Sequence, residues 1–405
     1  MKEQNSPKHI LVISQYFYPE QFRINDICCE WVKRGYKVTV LTGIPNYPQG
    51  KFYQGYGLKK KRKEKWKGID IIRIPLIPRG HNSMGLILNY LSFPISGWFW
   101  NLISNINADY VFMFETSPMT QCKIGCWYAK KHKVPLYLYV QDLWPENVEI
   151  ITGIHTPLLI APIQRMVDRI YRNCTEIFVT SPSFKKVVCA RNIPTDKVHY
   201  WPQYAEEFYV PYNKAEVKEI PADKSFKIIF TGNIGYAQGL QIIPKTAVLL
   251  KQDDVKFVMV GEGRYLEELK KEIVKNKVED KFILISRRPA EQIPKLLAAC
   301  DVAFLSFQDH ELWTMTIPAK LQSYLACGMP VVASAAGETK RIIEEAECGI
   351  CSELGNAEAL AEAIKKIIQM DMAKMKKNSR KYFEQYFSKQ KLMDKMDKYF
   401  EWGNE

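Results

Sequence analysis

A chain of 405 residues, 47% apolar and 25% charged, has material for two ordinary domains and is too apolar for intrinsic disorder. Its net charge of +13 sits in one half: residues 1–205 hold 27 Lys/Arg against 14 Asp/Glu, whereas residues 206–405 hold 30 against 30. A basic half draws an anionic membrane, an acidic substrate or nucleic acid. With no zinc-finger, RRM or KH signature, nucleic acid is set aside.

The N-terminal MKEQNSPKHI is polar and predicts no signal segment, and ten cysteines without one predict reduced thiols in a cytosolic protein. His9–Ser14 reads as the first strand, 24–34 as a helix and Lys37–Thr42 as the second strand. A Gly/Pro/Asn/Tyr-rich loop follows over 43–57, then a third strand over Ile69–Ile74. Strands at 110–114, Leu136–Val140, 176–180 and 198–201, with helices near 119–131 and from Ser183, complete the first half. Pro202, Pro211 and Pro221 mark a linker over 201–224. A second alternation has strands at Phe226–Thr231, Val255–Val260, 282–286, Val302–Ser306 and 331–333. The last stretch, 380–402, reads as helix. Strands alternating with helices argue two doubly wound parallel α/β sheets.

Two stretches read as membrane-seeking. KKKRKEKWK, residues 59–67, holds seven basic residues and one acid, and Lys59, Lys60, Lys61, Arg62 and Lys63 head it. Residues 80–108 carry no Asp, Glu, Lys or Arg, and Met84–Ile103 is rich in Leu, Ile, Phe and Trp. That run has the length of a span, but Asn89, Pro94, Gly97 and Asn101 make it a poor one. The reading is peripheral binding to an anionic leaflet. The alternative is a buried helix pair in the first domain.

Chemistry gathers in the second half. Pro318 to Glu345 reads as helix, turn, strand, loop, helix, with Gly328 stopping the first helix and Gly337 opening the second. Positive helix N-termini meeting strand ends favour a diphosphate, and Lys320 adds a full charge there. Gly232-Asn233-Ile234-Gly235 follows a strand and precedes a helix expected near Gly239; it is a phosphate-approaching loop or a plain tight turn. Arg287 and Arg288 end a strand, where open sheets place ligands, or else form a solvated pair. In the first half, Gln141-Asp142-Leu143-Trp144-Pro145-Glu146 follows a strand. Asp142 is the candidate for orienting an acceptor or assisting proton removal, against a simple capping role. Arg23, Asn46, Tyr47 and Trp144 are read as its neighbours. Cys348 and Cys351 lack a second pair for zinc and read as core thiols. No HxxxH, HExxH, DxD-like, GxSxG or P-loop pattern is present, so no metal site is expected.

YFYPE, IPNYPQGK, VQDLWPE and the KLQSYLA helix together resemble the retaining GT-B glycosyltransferases of family 4, over about residues 9–400. The subgroup resembled is the bacterial N-acetyl-L-fucosamine transferases of O-antigen and capsule assembly. The resemblance implies two Rossmann-like domains facing a cleft: residues 1–205, completed by a returning helix over 380–405, hold the acceptor, and residues 206–379 hold a UDP-sugar. It implies retaining transfer of an N-acetyl-fucosamine or related sugar to a lipid-linked or growing surface polysaccharide, without metal. The enzyme would work at the inner face of the plasma membrane. Gly232, Asn233, Gly235, Gln238, Arg287, Arg288, Ser323 and Glu338 fall in the implied donor site, with His310, Glu311 and Trp313 on a loop before it. The family's E-x7-E pair is replaced by Met315 and Ser323, and the usual Arg near Asn233 and Lys at Gln238 are missing. Those departures leave Lys320, Arg287 and Arg288 to neutralise the diphosphate. They also keep open a UDP-sugar 2-epimerase of the same architecture and a non-catalytic glycan-binding scaffold.

Overall fold

The structure, a computed structural model, describes residues 7–80, 83–153, 156–213 and 216–401; the polar N-terminal stretch at 1–6 lies outside them. The chain forms two compact units. The first comprises 1–180, 184–201 and 398–405, and the second 181–183 and 202–397.

In the first unit, β1 (His9–Ile13), α1 (Arg23–Lys33), β2 (Lys37–Gly43), β3 (Lys63–Trp66) and β4 (Ile69–Ile74) lead into the long α2 (Ser83–Ile103). Then come β5 (Tyr110–Glu115), α3 (Cys122–His132), β6 (Leu136–Val140), α4 (Glu146–Thr152), α5 (Pro157–Asn173), β7 (Glu176–Val179), α6 (Pro182–Cys189) and β8 (Val198–Tyr200). The sheet order is β3-β4-β2-β1-β5-β6-β7-β8. All pairs are parallel except β3 with β4. β1, β5 and β6 are fully buried and, His9 and Glu115 apart, apolar, the mark of strands covered on both faces. The strand order reverses between β2-β1 and β5, so the carboxyl ends of β1 and β5 flank the crevice where such sheets take ligands.

The second unit runs β9 (Phe226–Thr231), α7 (Ile242–Leu249), β10 (Val255–Val260), α8 (Leu266–Lys275), β11 (Phe282–Ile285), α9 (Ile293–Ala298), β12 (Val302–Ser306), α10 (Glu311–Thr314) and α11 (Ala319–Ala326). It continues with β13 (Val331–Ser334), α12 (Gly337–Glu345), β14 (Gly349–Ser352), α13 (Ala357–Ile368), α14 (Met372–Tyr386) and α15 (Lys389–Glu401). Its six parallel strands run β11-β10-β9-β12-β13-β14, with the switch between β9 and β12. Those two strands pair only over Ile228–Ile229 and Val302–Ala303 and then splay. The splay frees the end of β9 for a partner from outside the sheet.

Several expectations need correction. The basic run is not a loose segment, because β3 lies within it and forms an antiparallel edge on β4. Residues 83–103 are one helix, not a pair. The C-terminal return is shorter than expected: α14 and most of α15 cluster with the second unit, and only residues from 398 on join the first. There the Tyr137 hydroxyl donates to the Tyr399 carbonyl at 2.8 Å and the Phe400 ring packs on Trp31, Tyr110 and Tyr137. Cys348 is buried beside β14 and burial lifts its thiol to about 12, as expected of a core thiol.

Candidate active site

In the second unit the site is built on the splayed end of β9. On the β12 side, where the pairing has ended, the Thr231 N–H donates to the Tyr324 hydroxyl at 3.0 Å. Tyr324 is fully buried on α11, so this bond pins the helix over the strand end. Lys320 lies one turn earlier on the same face. Its ammonium is 4.1 Å from the centroid of the Phe230 ring and donates to the Gln238 side-chain oxygen. No carboxylate pairs with it among the described residues. Burial therefore pulls its amine down to about 7.

Gly232 completes the cradle. Its φ of +130° is a backbone state other residues rarely adopt, and a side chain there would meet Lys320 at 3.3 Å (Cδ) and 3.8 Å (Nζ). The loop after it is held by backbone bonds from Ile234 N to Glu262 O (2.8 Å) and from Tyr265 N to Ile234 O (3.0 Å). Asn233 is exposed and its amide lies over Gly235 and Gly263, where side chains would collide with it. One expectation fails: no helix starts at Gly239. A 3-10 turn at Tyr236–Gln238 precedes α7, which begins at Ile242. That turn is what carries Gln238 to Lys320.

The structure thus brings Lys320, Gln238, Gly232 and Phe230 together, and other predicted donor residues have different surroundings. Arg288 pairs with Glu219 at 2.6 Å and donates to Ser286, while Arg287 is exposed. Ser323 turns its hydroxyl back onto the Ala319 carbonyl at 3.1 Å. Glu338 is buried with both oxygens engaged: Oε2 by the Arg341 guanidinium (2.7 and 2.9 Å) and Oε1 by the Ser183 N–H and hydroxyl (2.8 and 2.6 Å). His310 caps α10 by accepting from Leu312 N at 3.1 Å, and Trp313 stacks on Phe307.

In the first unit the carboxyl ends of β1, β2, β5 and β6 build a second cluster. Asp142 Oδ2 accepts from the Ser117 N–H (2.7 Å) and hydroxyl (2.8 Å), and that hydroxyl accepts from Trp144 Nε1 at 3.0 Å. Asp142 Oδ1 carries no such bond among the described residues. Beneath it lies Glu115, fully buried. Its Oε2 accepts from Asp142 N at 3.2 Å, and its Oε1 has no partner. Burial, reinforced by the Asp142 charge, holds the Glu115 carboxyl well above the usual carboxylate range. Sequence reading missed Glu115, which ends an otherwise apolar strand; one acid in YVFMFE was the available signal.

Two predicted neighbours of Asp142 are scaffold. Asn46 is 0% exposed, and its amide bridges Ile44 O (2.9 Å) and Arg79 N (3.0 Å). Trp144 is buried with its indole N–H on Ser117. Tyr47 does reach the surface, packed among Tyr16 and Phe22 with Arg79 over its ring. Arg23 opens α1 and is half-buried. Glu20 locks this region. It accepts from the backbone N–H groups of Tyr47 (2.7 Å), Asn46 (2.8 Å) and Phe17 (3.3 Å), yet burial lifts its carboxyl to about 7.

Comparison with known proteins supplies the chemistry. Residues 213–386 match the model "Glycosyl transferases group 1" and residues 22–203 match "Glycosyltransferase Family 4". The chain is a glycosyltransferase. It is 26% identical over 266 residues to "Probable glycosyltransferase WbjE" of Pseudomonas aeruginosa, spanning 64% of this chain and 66% of that one. It is 23% identical over 406 residues to "Putative colanic acid biosynthesis glycosyl transferase WcaI" of Escherichia coli (strain K12), spanning 95% and 97%. Anabaena HepE, solved in complex with UDP and glucose, superposes with a TM-score of 0.68 at 16% identity, covering 97% and 99%. The two parallel-sheet units make this glycosyltransferase a GT-B protein.

Proposed function

We propose that this glycosyltransferase carries a sugar from a UDP-sugar to a lipid-linked saccharide of a surface polysaccharide, with retention at the transferred carbon and without a metal ion. The observation that carries the reading is Lys320: a half-buried amine with no acid partner, beside a glycine that leaves room for a ligand. A diphosphate leaving group is the anion this cradle suits, and a positioned cation lowers the barrier as charge develops on it. HepE's complex with UDP and WcaI's name point the same way for donor and pathway class. Asp142, fixed by Ser117 and free at Oδ1, is placed to orient the acceptor hydroxyl or help remove its proton. An N-acetylated, 6-deoxy donor such as N-acetyl-fucosamine suits a site with Met315 and Ser323 in place of two glutamates.

The same reading seats the first unit on an anionic membrane. No helix among the described residues is long and apolar enough to cross one. α2 instead packs on the first unit through Asn89, Phe93 and Gly97, where a side chain at 97 would collide with Ile124 of α3 at 2.2 Å. Its other side exposes Met84, Ile87, Leu91, Ile95, Phe99 and Leu102, with Phe99 58% exposed. A charge-free apolar helix face suits the headgroup boundary, and Lys59, Lys60, Lys61 and Lys63 supply the electrostatic attraction. Arg62 adds its charge from a fixed position, its guanidinium donating to the Arg73 and Leu58 carbonyls.

The test is transfer from a panel of UDP-sugars to a polyprenyl-diphosphate-linked saccharide, with excess EDTA in a parallel arm. Product formed equally in both arms supports the reading. Absence of product with every donor, or activity lost to EDTA and restored by Mg²⁺, refutes it.

A further inference from the structure

Arg79 is a cation that the reaction described above leaves without a task. It is half-buried, and no carboxylate lies within ion-pair distance of it among the described residues. Its position is nonetheless built. The Arg79 N–H donates to Asn46 Oδ1 at 3.0 Å, and Asn46 N donates to Glu20 Oε1 at 2.8 Å. Two buried side chains therefore fix the backbone that carries the guanidinium. The guanidinium lies 5.4 Å from the centroid of the Tyr47 ring. Tyr90, from α2, completes the group: Asn89 just before it accepts from the Tyr16 hydroxyl at 3.5 Å, and the Tyr16 ring lies 5.4 Å from that of Tyr47. The Tyr90 ring also packs against Trp144 at 6.1 Å. One helix therefore serves two surfaces. Tyr90 faces the Asp142 cluster, while Leu91 and Ile87, within one turn of it, belong to the exposed apolar side.

We propose that Arg79, with the phenols of Tyr47 and Tyr90, binds the phosphate of an amphiphilic acceptor whose hydrocarbon chain leaves along the apolar side of α2. The inference rests on the reading that the first unit holds the acceptor. A guanidinium presents a planar fork that matches phosphate oxygens two at a time, and the two hydroxyls add further donors. The neighbouring Asp142 carboxylate then stands on the sugar side of that phosphate. Arg79 is a specificity-determining residue here, with Asn46 and Glu20 as positioning residues behind it.

The experiment is calorimetric titration of the full chain, saturated with UDP to occupy the Lys320 site, with farnesyl diphosphate and with farnesol. Wild type is expected to bind the diphosphate at least tenfold more tightly than the alcohol. Arg79→Gln is expected to erase that difference while leaving farnesol binding unchanged, and Arg79→Lys to restore part of it. Co-sedimentation of Arg79→Gln with phosphatidylglycerol vesicles is expected to equal wild type, which separates an acceptor phosphate from a lipid headgroup. Equal binding of the two probes by wild type, undiminished diphosphate binding by Arg79→Gln, or loss of vesicle binding overturns the proposal. Failure of sugar transfer in the panel assay bears on the functional reading alone, since this titration needs no turnover.

Discussion

The two units solve opposite electrostatic problems with the same α/β layout. In the second, a half-buried cation has no counter-charge, and partial desolvation lowers the tendency of Lys320 to hold a proton. In the first, carboxyl groups are buried instead: Glu115 is fully enclosed under Asp142, and Glu20 is held by three backbone N–H groups. Each arrangement destabilises the empty protein, because an ionised group taken out of water is costly unless paired. What differs is the missing partner. The lysine lacks an anion, which the proposed diphosphate would bring, whereas burial raises the affinity of the acids for a proton, which solvent supplies. A site waiting for substrate can thus be told from a structural one by asking what would neutralise it.

The largest effect is expected at the lysine. Lys320→Ala should leave the fold intact and lower transfer about a hundredfold, near 3 kcal/mol of barrier, read as kcat with UDP-sugar at saturation. Normal turnover would move the assignment to Arg287. Asp142→Asn is the counterpart in the first unit. It should reduce kcat by about ten- to a hundredfold with donor affinity unchanged. A variant that loses UDP-sugar affinity instead would break the division of labour between the units.

A pH series sharpens the contrast. The free enzyme's Lys320 sits near 7, and a bound diphosphate raises it, so binding takes up a proton. Donor affinity should be full below pH 7 and fall by up to about tenfold per unit as pH rises from 7 towards 9. Affinity that rises with pH would give the opposite sign. The smallest effect concerns stability. Lys320→Met removes a half-buried unpaired charge and should raise the melting temperature of the unliganded enzyme by a few degrees. It should also abolish the upward shift caused by UDP, since only ligands that bind the folded state stabilise it.

Much of this was legible in sequence. Strand cores such as Phe226–Thr231 and Leu136–Val140 are continuous apolar runs bounded by turn residues, and both edges matched. Lys320 was legible because a proline-started helix carries a lone cation in its first turn. The cradle around it was not. That Tyr324 bonds the Thr231 N–H depends on two strands parting after Ile229, a tertiary event that no periodicity reports. β3 was hidden because four residues reading KEKW carry the charges of an edge strand rather than the apolar pattern of a buried one. Asn46 looked like a ligand residue and proved to be a buried bracket, since asparagine serves turns and ligands with the same amide. Glu338 misled similarly: an acid at a helix start is also a partner for Arg341, three residues on.

The most direct test of the account is the proton count of donor binding. Titration calorimetry of a UDP-sugar at pH 8, in two buffers of different ionisation enthalpy, reads the protons taken up per bound donor, and the sugar diphosphate itself does not titrate there. With Lys320 near 7 when empty, the wild type should take up close to one proton and Lys320→Met none. No uptake by the wild type, or the same uptake by the variant, would contradict the claim that Lys320 is the cation that receives the donor's diphosphate.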